Sequence, residues 1–328
     1  MFGVALNYFS YRHEPMILLQ RTRNAFGLVD GSPIRPDQFA DRSLDEINAI
    51  VLETDRGPVS LRDVFEVSTD RMPLEHFLVI EGGCSTMEGL GSQMQGGTMC
   101  ILGDVGDNTA RGMAGGSLVI AGNARDHLGA GMSDGLIYVA GNCRNGLASP
   151  LPGRKSGMRG GDILITGDIG DRACERQRRG TVFVAGDAGC FCAAQMIAGT
   201  LVVMGDLGGG WAGGMRRGSL ILGHDCPSQP SASLSEARDF ELSFLPLIWR
   251  HIEKQQNDIL GILNLAIAFA KSATTRPIRE PQSPIKIPRT RWVRRQIADI
   301  NCKGQGEVLV LKRVSSPSYV ASSSVVTV

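Results

Sequence analysis

The chain lacks an excess of charge of either sign, since its 328 residues include 34 Lys and Arg against 33 Asp and Glu. A formal net charge of +1 creates no molecule-wide field that would attract nucleic acid or an anionic membrane. Any electrostatic recognition must therefore be local. The sequence predicts neither a nucleic-acid partner nor a membrane partner.

A long hydrophobic run is also missing. The apolar stretch from Ile259 to Ala270 is too short to span a bilayer. Polar side chains interrupt the first fifteen positions, where a signal peptide would need an apolar core. These residues are Tyr8, Tyr11, Arg12, His13 and Glu14. We therefore expect a cytoplasmic protein.

Clustered metal ligands and catalytic groups are missing as well. The eight cysteines include no Cys-x-x-Cys pair and no ferredoxin-type run, so we expect reduced, mostly buried thiols. His127 and His224 have no second ligand at a recurrent metal spacing, and no Ser/His/Asp or Cys/His set is linked by position. No helical pattern follows the Gly-Asp-x-Gly units, as a dinucleotide fingerprint requires. The sequence predicts no catalytic residue and no metal site.

Glycine, by contrast, is abundant, with 42 residues, about twice ordinary usage. It recurs in a repeated segment in which one glycine always precedes Asp or Asn. That glycine stands at Gly103, Gly122, Gly141, Gly167, Gly186 and Gly205, so the steps are 19, 19, 26, 19 and 19 residues. A fixed period over several copies is the signature of a repeat architecture.

Each copy opens with extended-type residues in which two alternate positions are always aliphatic. The first column is Met99, Leu118, Ile137, Ile163, Val182, Leu201 and Leu220; the second is Ile101, Ile120, Val139, Ile165, Val184, Val203 and Leu222. Alternate strand residues share a face, so both columns should point inward. The residue between them is mixed, and its face must be covered by terminal segments or partners. Stacked copies predict an all-β fold, a right-handed parallel β-helix with about nineteen residues per coil.

Two further columns have structural interpretations. Methionine recurs at Met94, Met113, Met132, Met158, Met196 and Met215, with Gln177 as the exception, and we expect it to fill the core at the opposite wall. Asp or Asn follows the repeated glycine at Asp104, Asn123, Asn142, Asp168, Asp187 and Asp206. A nineteen-residue period does not fit the nine-residue calcium β-roll, so we interpret this column as Asx turns.

The repeat divides the chain into five segments. We expect a mis-assigned or disordered start at 1–15 before Met16, an N-terminal α/β cap at 16–76, and the β-helix at 77–225. A helical and Arg/Pro-rich extension with a final strand should follow at 226–312, and a disordered tail at 313–328. Within the cap, Ser43 and Glu46 form a capping-box pattern, and Leu61, Val64 and Phe65 should pack on the first coil.

One basic cluster is a candidate binding site. Arginine follows the methionine column in three copies, and a seven-residue insertion in the step of 26 carries two more cations. The candidate residues are Arg154, Lys155, Arg159, Arg178, Arg179, Arg216 and Arg217. In-register copies would hold these like charges on the order of 5–10 Å apart, where they repel each other. The cluster is either a solvated corner or a contact for an acidic partner or polyanionic ligand.

The repeat resembles a known family. G-D-x-G followed by G-x-x-M-x-G-G, with the basic insertion ending in KSGMRGG, is similar to the C-type subunit of formylmethanofuran dehydrogenase and of the bacterial formyltransferase/hydrolase complex. FADRSLDEI belongs to the same likeness, and LSEARDFELSFLPLIWRHI and RWVRRQIADINCKGQGEVLVL look like the bacterial form. The glycine repeat is also similar to the C-terminal domain of the glutamate synthase large chain.

The resemblance implies a noncatalytic structural subunit in tetrahydromethanopterin-linked one-carbon metabolism, the oxidation of formaldehyde to formate. Its partners would be the amidohydrolase-like A-type subunit, the B-type subunit and a formyltransferase subunit. The complex would use methanofuran or methylofuran, whose glutamyl-rich tail is a polyanion that the basic cluster could hold, with a metal in another subunit. Two alternatives remain: the C-type subunit of a redox enzyme with molybdopterin or tungstopterin in another subunit, and a glutamate-synthase-like structural domain.

Overall fold

The structure is a computed structural model that describes residues 14–22, 27–72, 76–151, 153–273 and 285–312. The expected tail at 313–328, and residues 1–13 of the expected start segment, lie outside the described residues.

The described chain consists mostly of strands. They are β1 Glu14–Arg21, β2 Val29–Asp30, β3 Val51–Leu52, β4 Val59–Ser60, β5 Phe65–Met72, β6 Phe77–Glu81, β7 Met87–Glu88, β8 Thr98–Leu102, β9 Ala114–Ile120, β10 Asp134–Val139, β11 Asp162–Ile165, β12 Thr181–Val184, β13 Thr200–Val203, β14 Ser219–Leu222, β15 Arg238–Glu241, β16 Trp292–Ala298 and β17 Gly306–Leu311. The helices are α1 Pro36–Phe39, α2 Leu44–Asn48, α3 Leu61–Val64 and α4 Leu245–Ala273, with a 3₁₀ turn at Ile300–Cys302.

Thirteen strands form one sheet, in the order β15-β16-β17-β14-β13-β12-β11-β10-β9-β8-β6-β1-β5. The pairs from β1 and β6 through β14 to β17 are parallel. Antiparallel pairs occur at the two ends, where β5 lies on β1 and where β16 and β15 follow β17. The fold is therefore all-β and solenoid-like, as the repeat predicted at this level.

Equivalent positions of successive copies lie opposite each other. Ile163 pairs with Val182, and Val182 with Leu201. Register also holds across the long step, where Ile137 lies opposite Ile163. A second line of parallel bridges joins the residue that follows each Asp or Asn, for example Ile169 to Ala188. The insertion therefore leaves the stack without shifting the register of the strands.

The aliphatic columns and the methionine column form one core. Every residue of both aliphatic columns is buried, and so are all six column methionines. Gln177 is buried in the same column, and its Nε2 donates to the backbone oxygens of Arg179 at 3.2 Å and Gly180 at 3.0 Å. The predicted inward orientation is confirmed. The amide nitrogen of the polar replacement bonds to nearby carbonyls, while its buried Oε1 has no hydrogen-bond partner in the described chain.

The outward face of the central strands is buried under α4. Tyr138 and Phe183 belong to a second apolar cluster with Trp249, Ile252 and Leu263 of the helix. Trp249 also donates its indole N–H to the Thr290 carbonyl at 3.2 Å. Burying one such large apolar side chain contributes about 1.5–3 kcal/mol. The mixed column is therefore covered by the chain's own C-terminal segment, one of the two coverings that the sequence left open.

The N-terminal segment packs on the first strands of the stack. Ser43 and Glu46 form the predicted capping box: the Ser43 N–H donates to Glu46 Oε2 at 2.8 Å, and the Glu46 N–H donates to Ser43 Oγ at 3.3 Å. Leu61, Val64 and Phe65 are buried in the same core as the aliphatic columns. These three residues therefore belong to the same continuous core as the repeat.

At the other end, Asp299 ties the C-terminal strands to the last repeat. Its carboxylate accepts the Gly214 N–H at 3.0 Å and the Ser233 N–H at 3.1 Å. Burial opposes ionisation of this carboxyl, but the hydrogen bonds outweigh it and lower the pKa of Asp299. β17 is thereby held beside β14 as one more parallel strand of the stack.

Candidate anion-binding site

Three of the predicted arginines occupy one corner of the stack and are called the arginine column: Arg159, Arg178 and Arg216. Backbone bonds fix their spacing, because the Arg178 N–H donates to the Met158 oxygen and the Arg216 N–H to the Met196 oxygen, both at 2.8 Å. Ile197 fills the step between Arg178 and Arg216. Adjacent copies are about 4.8 Å apart. Arg159 and Arg178 are therefore one copy apart, and Arg178 and Arg216 are two copies apart.

The arginine column and the two arginines beside it are exposed, Arg179 next to Arg178 and Arg217 next to Arg216. Across the described ranges, no side-chain hydrogen bond or ion pair links any of these five guanidinium groups to another residue. The part of the chain that the structure describes therefore offers these five charges no partner.

The insertion leaves the stack as a closed loop. Its base is joined by the Met158 N–H, which donates to the Ala148 oxygen at 2.8 Å, and the Arg154 N–H donates to the Leu151 oxygen at 2.9 Å within the loop. Proline and glycine in the insertion cannot continue the strand pairing, so the extra residues leave the stack at this step.

The loop forms one wall of a 560 Å³ cavity, here called the basic cavity. Four cations from two parts of the chain line it: Arg111 from an earlier copy, and Arg154, Lys155 and Arg159 from the insertion and its base. The remaining lining residues are Gln93, Gly112, Ala130, Gly131, Leu151 and Ser156, so no carboxylate is among them. The structure thus brings Arg154, Lys155 and Arg159 together and leaves Arg178, Arg179, Arg216 and Arg217 on the open corner.

Arg111 is the cation that the sequence patterns did not single out. It stands two residues before Met113, where other copies carry Ser92, Ala130 or Ser156. No cation recurs at this position in the other copies, whereas arginine recurs in the arginine column. The direction in which the insertion folds brings it into the site, and that direction is not encoded in the repeat period.

A second cavity of 520 Å³ lies on the other side of the same loop and shares Arg154. Here the charges are paired: Arg172 lies 2.8 Å and Arg176 3.9 Å from the Glu175 carboxylate. His127 also lines it, and its Nδ1 is buried without a hydrogen-bond partner in the described chain. The two sides of the loop therefore differ in charge balance.

The Asp/Asn column has a structural role that differs from the predicted one. In the five members before Asp206, a side-chain oxygen accepts the backbone N–H of the equivalent residue in the next copy, for example Asp187 from Asp206 at 2.8 Å. The other bonds of this ladder run from Asn123, Asn142, Asp168 and Asp187 to the preceding member at 2.6, 2.9, 2.9 and 2.8 Å. The side chains therefore link copies rather than close local turns, because the strict register places an N–H within their reach.

The cysteines are free thiols, as expected, and five of the eight are buried. Burial raises the pKa of Cys84 to about 11 and that of Cys192 to about 12. Such thiols are poor nucleophiles at neutral pH, because the thiolate is the reactive form.

Within the described residues, no three His, Cys, Asp or Glu side chains are grouped so that they could hold a metal ion. The same part of the chain contains no helix with the length and apolar character needed to cross a membrane.

Comparisons with known proteins point to one assembly. No protein-family model and no curated protein matches the chain. Among solved structures, it is similar to a chain of the crystal structure of the formyltransferase/hydrolase complex (FhcABCD) from Methylorubrum extorquens in complex with methylofuran. Identity is 29% and the TM-score is 0.71, over 90% of this chain and 100% of that chain. The protein is thus similar to a component of a multi-subunit formyltransferase/hydrolase complex.

Proposed function

We propose that this chain is the noncatalytic C-type subunit of a formyltransferase/hydrolase complex in tetrahydromethanopterin-linked one-carbon metabolism. The observation that carries the proposal is the likeness to a chain of such a complex, at 29% identity over 90% of this chain. The amidohydrolase-like A-type subunit, the B-type subunit and the formyltransferase subunit are the proposed partners, in the cytoplasm. The chemistry then belongs to those partners.

The proposed architecture is a right-handed parallel β-helix at 77–225 with about nineteen residues per coil. Partner residues 19 apart in the parallel register, such as Val182 and Leu201, support this coil length. The segment at 16–76 would close one end and the extension at 226–312 the other. Such a stack is rigid because every strand contacts the strand before and after it.

A scaffold role also agrees with how the chain uses its reactive residue types. The repeated Asp and Asn side chains bond the backbone of the next copy, and most thiols are buried. The outward apolar face packs on α4. The exposed basic residues are therefore the side chains best placed to interact with another molecule.

We assign the contact to an acidic group to Arg154, Lys155, Arg159, Arg178, Arg179, Arg216 and Arg217. The group is either an acidic partner surface or the glutamyl tail of the carrier cofactor. Unpaired guanidinium groups fit carboxylates, which they bind through paired N–H donors. A tail held here would supply the tether of a carrier whose formyl end reacts in other subunits.

Copurification of the tagged full chain from its native host tests the assignment to the complex. Mass spectrometry of the eluate should identify an amidohydrolase-like chain and a formyltransferase chain in fixed ratio to this one. The purified chain alone should show neither formyl hydrolysis nor formyl transfer. Activity of the isolated chain after metal removal, or elution without those partners, would overturn the proposal.

A further inference from the structure

The basic cavity differs from the rest of the arginine-rich surface because it is concave. Arg111 approaches it from one copy of the repeat, and Arg154, Lys155 and Arg159 approach it from the insertion and its base. Its volume of 560 Å³ falls within the range of roughly 300–1,000 Å³ that small-molecule sites occupy. A convex corner spreads like charges apart, whereas a concave surface directs their field toward one shared space.

Among the described residues, no acidic group compensates the cations on this side of the loop. No carboxylate lines the cavity, and in the described ranges no side-chain hydrogen bond or ion pair engages any of the four cations. The cavity across the loop provides an internal comparison, because Glu175 there pairs with Arg172 and Arg176. The unpaired cations of the basic cavity are therefore not a general property of the insertion.

The glycine lining keeps the cavity open. A Cβ atom built on Gly131 would meet no atom within 4 Å, so a side chain there would project into free space. Gly131 has φ +69° and Gly112 φ +67°, a backbone region that glycine adopts without strain. Small residues between flexible cations leave room for a ligand instead of filling the space with side chains.

From these observations we propose that the basic cavity binds a small multivalent oxyanion through Arg111, Arg154, Lys155 and Arg159. The ligand carries two or more carboxylate or phosphate groups. Guanidinium groups bind both kinds of oxyanion through parallel N–H donors, and Lys155 adds a point charge. Arg111 is the member that extends the site beyond the basic residues of the loop and corner. The inference does not depend on the proposed function, because the full chain alone contains the whole cavity.

Titration calorimetry on the purified full chain tests the proposal with three probes: tetraglutamate, citrate and pyrophosphate. We expect saturable binding of at least one probe, weakened by added salt because these cations are exposed. Preference for tetraglutamate or citrate identifies a carboxylate site, and preference for pyrophosphate identifies a phosphate site. Arg111→Gln and Arg154→Gln should each weaken binding by about tenfold.

Two controls separate the cavity from general basic charge. Arg144→Gln removes an exposed arginine outside the cavity and should leave the affinity within about twofold. Gly131→Asp should lower the affinity more than Gly131→Asn, since both tolerate positive φ but only aspartate adds a competing carboxylate. If no probe binds, or if Arg144→Gln weakens binding as much as Arg111→Gln, the cavity is not an anion site. Either result leaves the copurification test of the proposed function unaffected.

Discussion

The central stack presents two outward surfaces that are treated in opposite ways. The face bearing Tyr138 and Phe183 is closed by α4, which removes it from water. The corner bearing Arg178 and Arg216 has no covering in the described chain and keeps its cations in solvent. Burying apolar surface lowers the free energy of the folded chain. Burying a charge removes its hydration, and this cost is offset only if the charge finds a partner. The first surface stabilises this chain, and the second is available to another molecule.

The largest effect should come from charging the core behind both surfaces. Ile165→Asp places an unpaired carboxylate between stacked aliphatic residues, and we expect it to abolish folding. Ile165→Val, the matched control, should cost about 0.5–1.5 kcal/mol of unfolding free energy. Circular dichroism and urea titration provide the measurement. A folded aspartate variant with an exposed side chain would show that the assigned orientation is wrong.

Removing the anchor of the covering helix should have the next largest effect. Trp249→Ala deletes a buried side chain and its bond to Thr290, and should cost about 3–5 kcal/mol. Hydrogen exchange should show faster exchange along α4 and on the outward face of the central strands. Leu247→Ala, on the same helix but exposed, should be nearly neutral. Equal losses from both variants would contradict the view that α4 closes the face through its inner side.

A smaller, pH-dependent effect should come from Asp299. Asp299→Asn weakens the charge-assisted bonds from Gly214 and Ser233, at a cost of about 1–3 kcal/mol at neutral pH. Because folding lowers the pKa of Asp299, its stabilisation is complete above the unfolded value near 3.9 and is lost as the pH falls through the folded value. The difference between wild type and variant should therefore shrink below about pH 4. A difference that stays constant from pH 7 to pH 3 would exclude this linkage.

The smallest effect on stability should come from the open corner. Arg178→Glu with Arg216→Glu changes only exposed side chains and should alter the unfolding free energy by no more than about 0.5 kcal/mol. At low salt, the same double variant should reduce either complex assembly or carrier affinity. Copurified partner subunits report assembly, and the carrier retained in a binding titration reports affinity. Normal assembly together with unchanged carrier affinity would make the corner a solvated surface.

Local periodicity was sufficient to predict the part of the fold that repeats. The two aliphatic columns and the methionine column depend on contacts that their own copy or the next one supplies. The capping box at Ser43 was predictable for a related reason, because its partner Glu46 is only three residues away. The strand at Trp292–Ala298 was not predicted, because it lies in an Arg- and Pro-rich segment and occurs once. Its place beside β17 is set by a non-local pairing that leaves no periodic pattern.

The candidate site was predictable only in part for the same reason. The arginine column follows from strict register, since Arg159 and Arg178 occupy equivalent places. The addition of Arg111 depends on the direction in which a unique loop folds. Likewise, the bonds between copies in the Asp/Asn column could not be predicted without the three-dimensional stack. From the sequence alone, a backbone N–H in the same turn is an equally good donor to these side chains.

The Asp/Asn ladder relates the length of the stack to the number of repeat copies. The five members from Asp104 to Asp187 each accept a bond from the next member, which is 19 positions later except at Asn142, where the insertion makes the interval 26. Deleting residues 181–199 would place Asp206 beside Asp168 and join the same donor and acceptor types again. The two ends of the stack would then move about 4.8 Å closer with every pairing type retained. The distance between molecules bound at the two ends of the stack therefore changes only by multiples of the spacing between copies. The number of copies sets that distance.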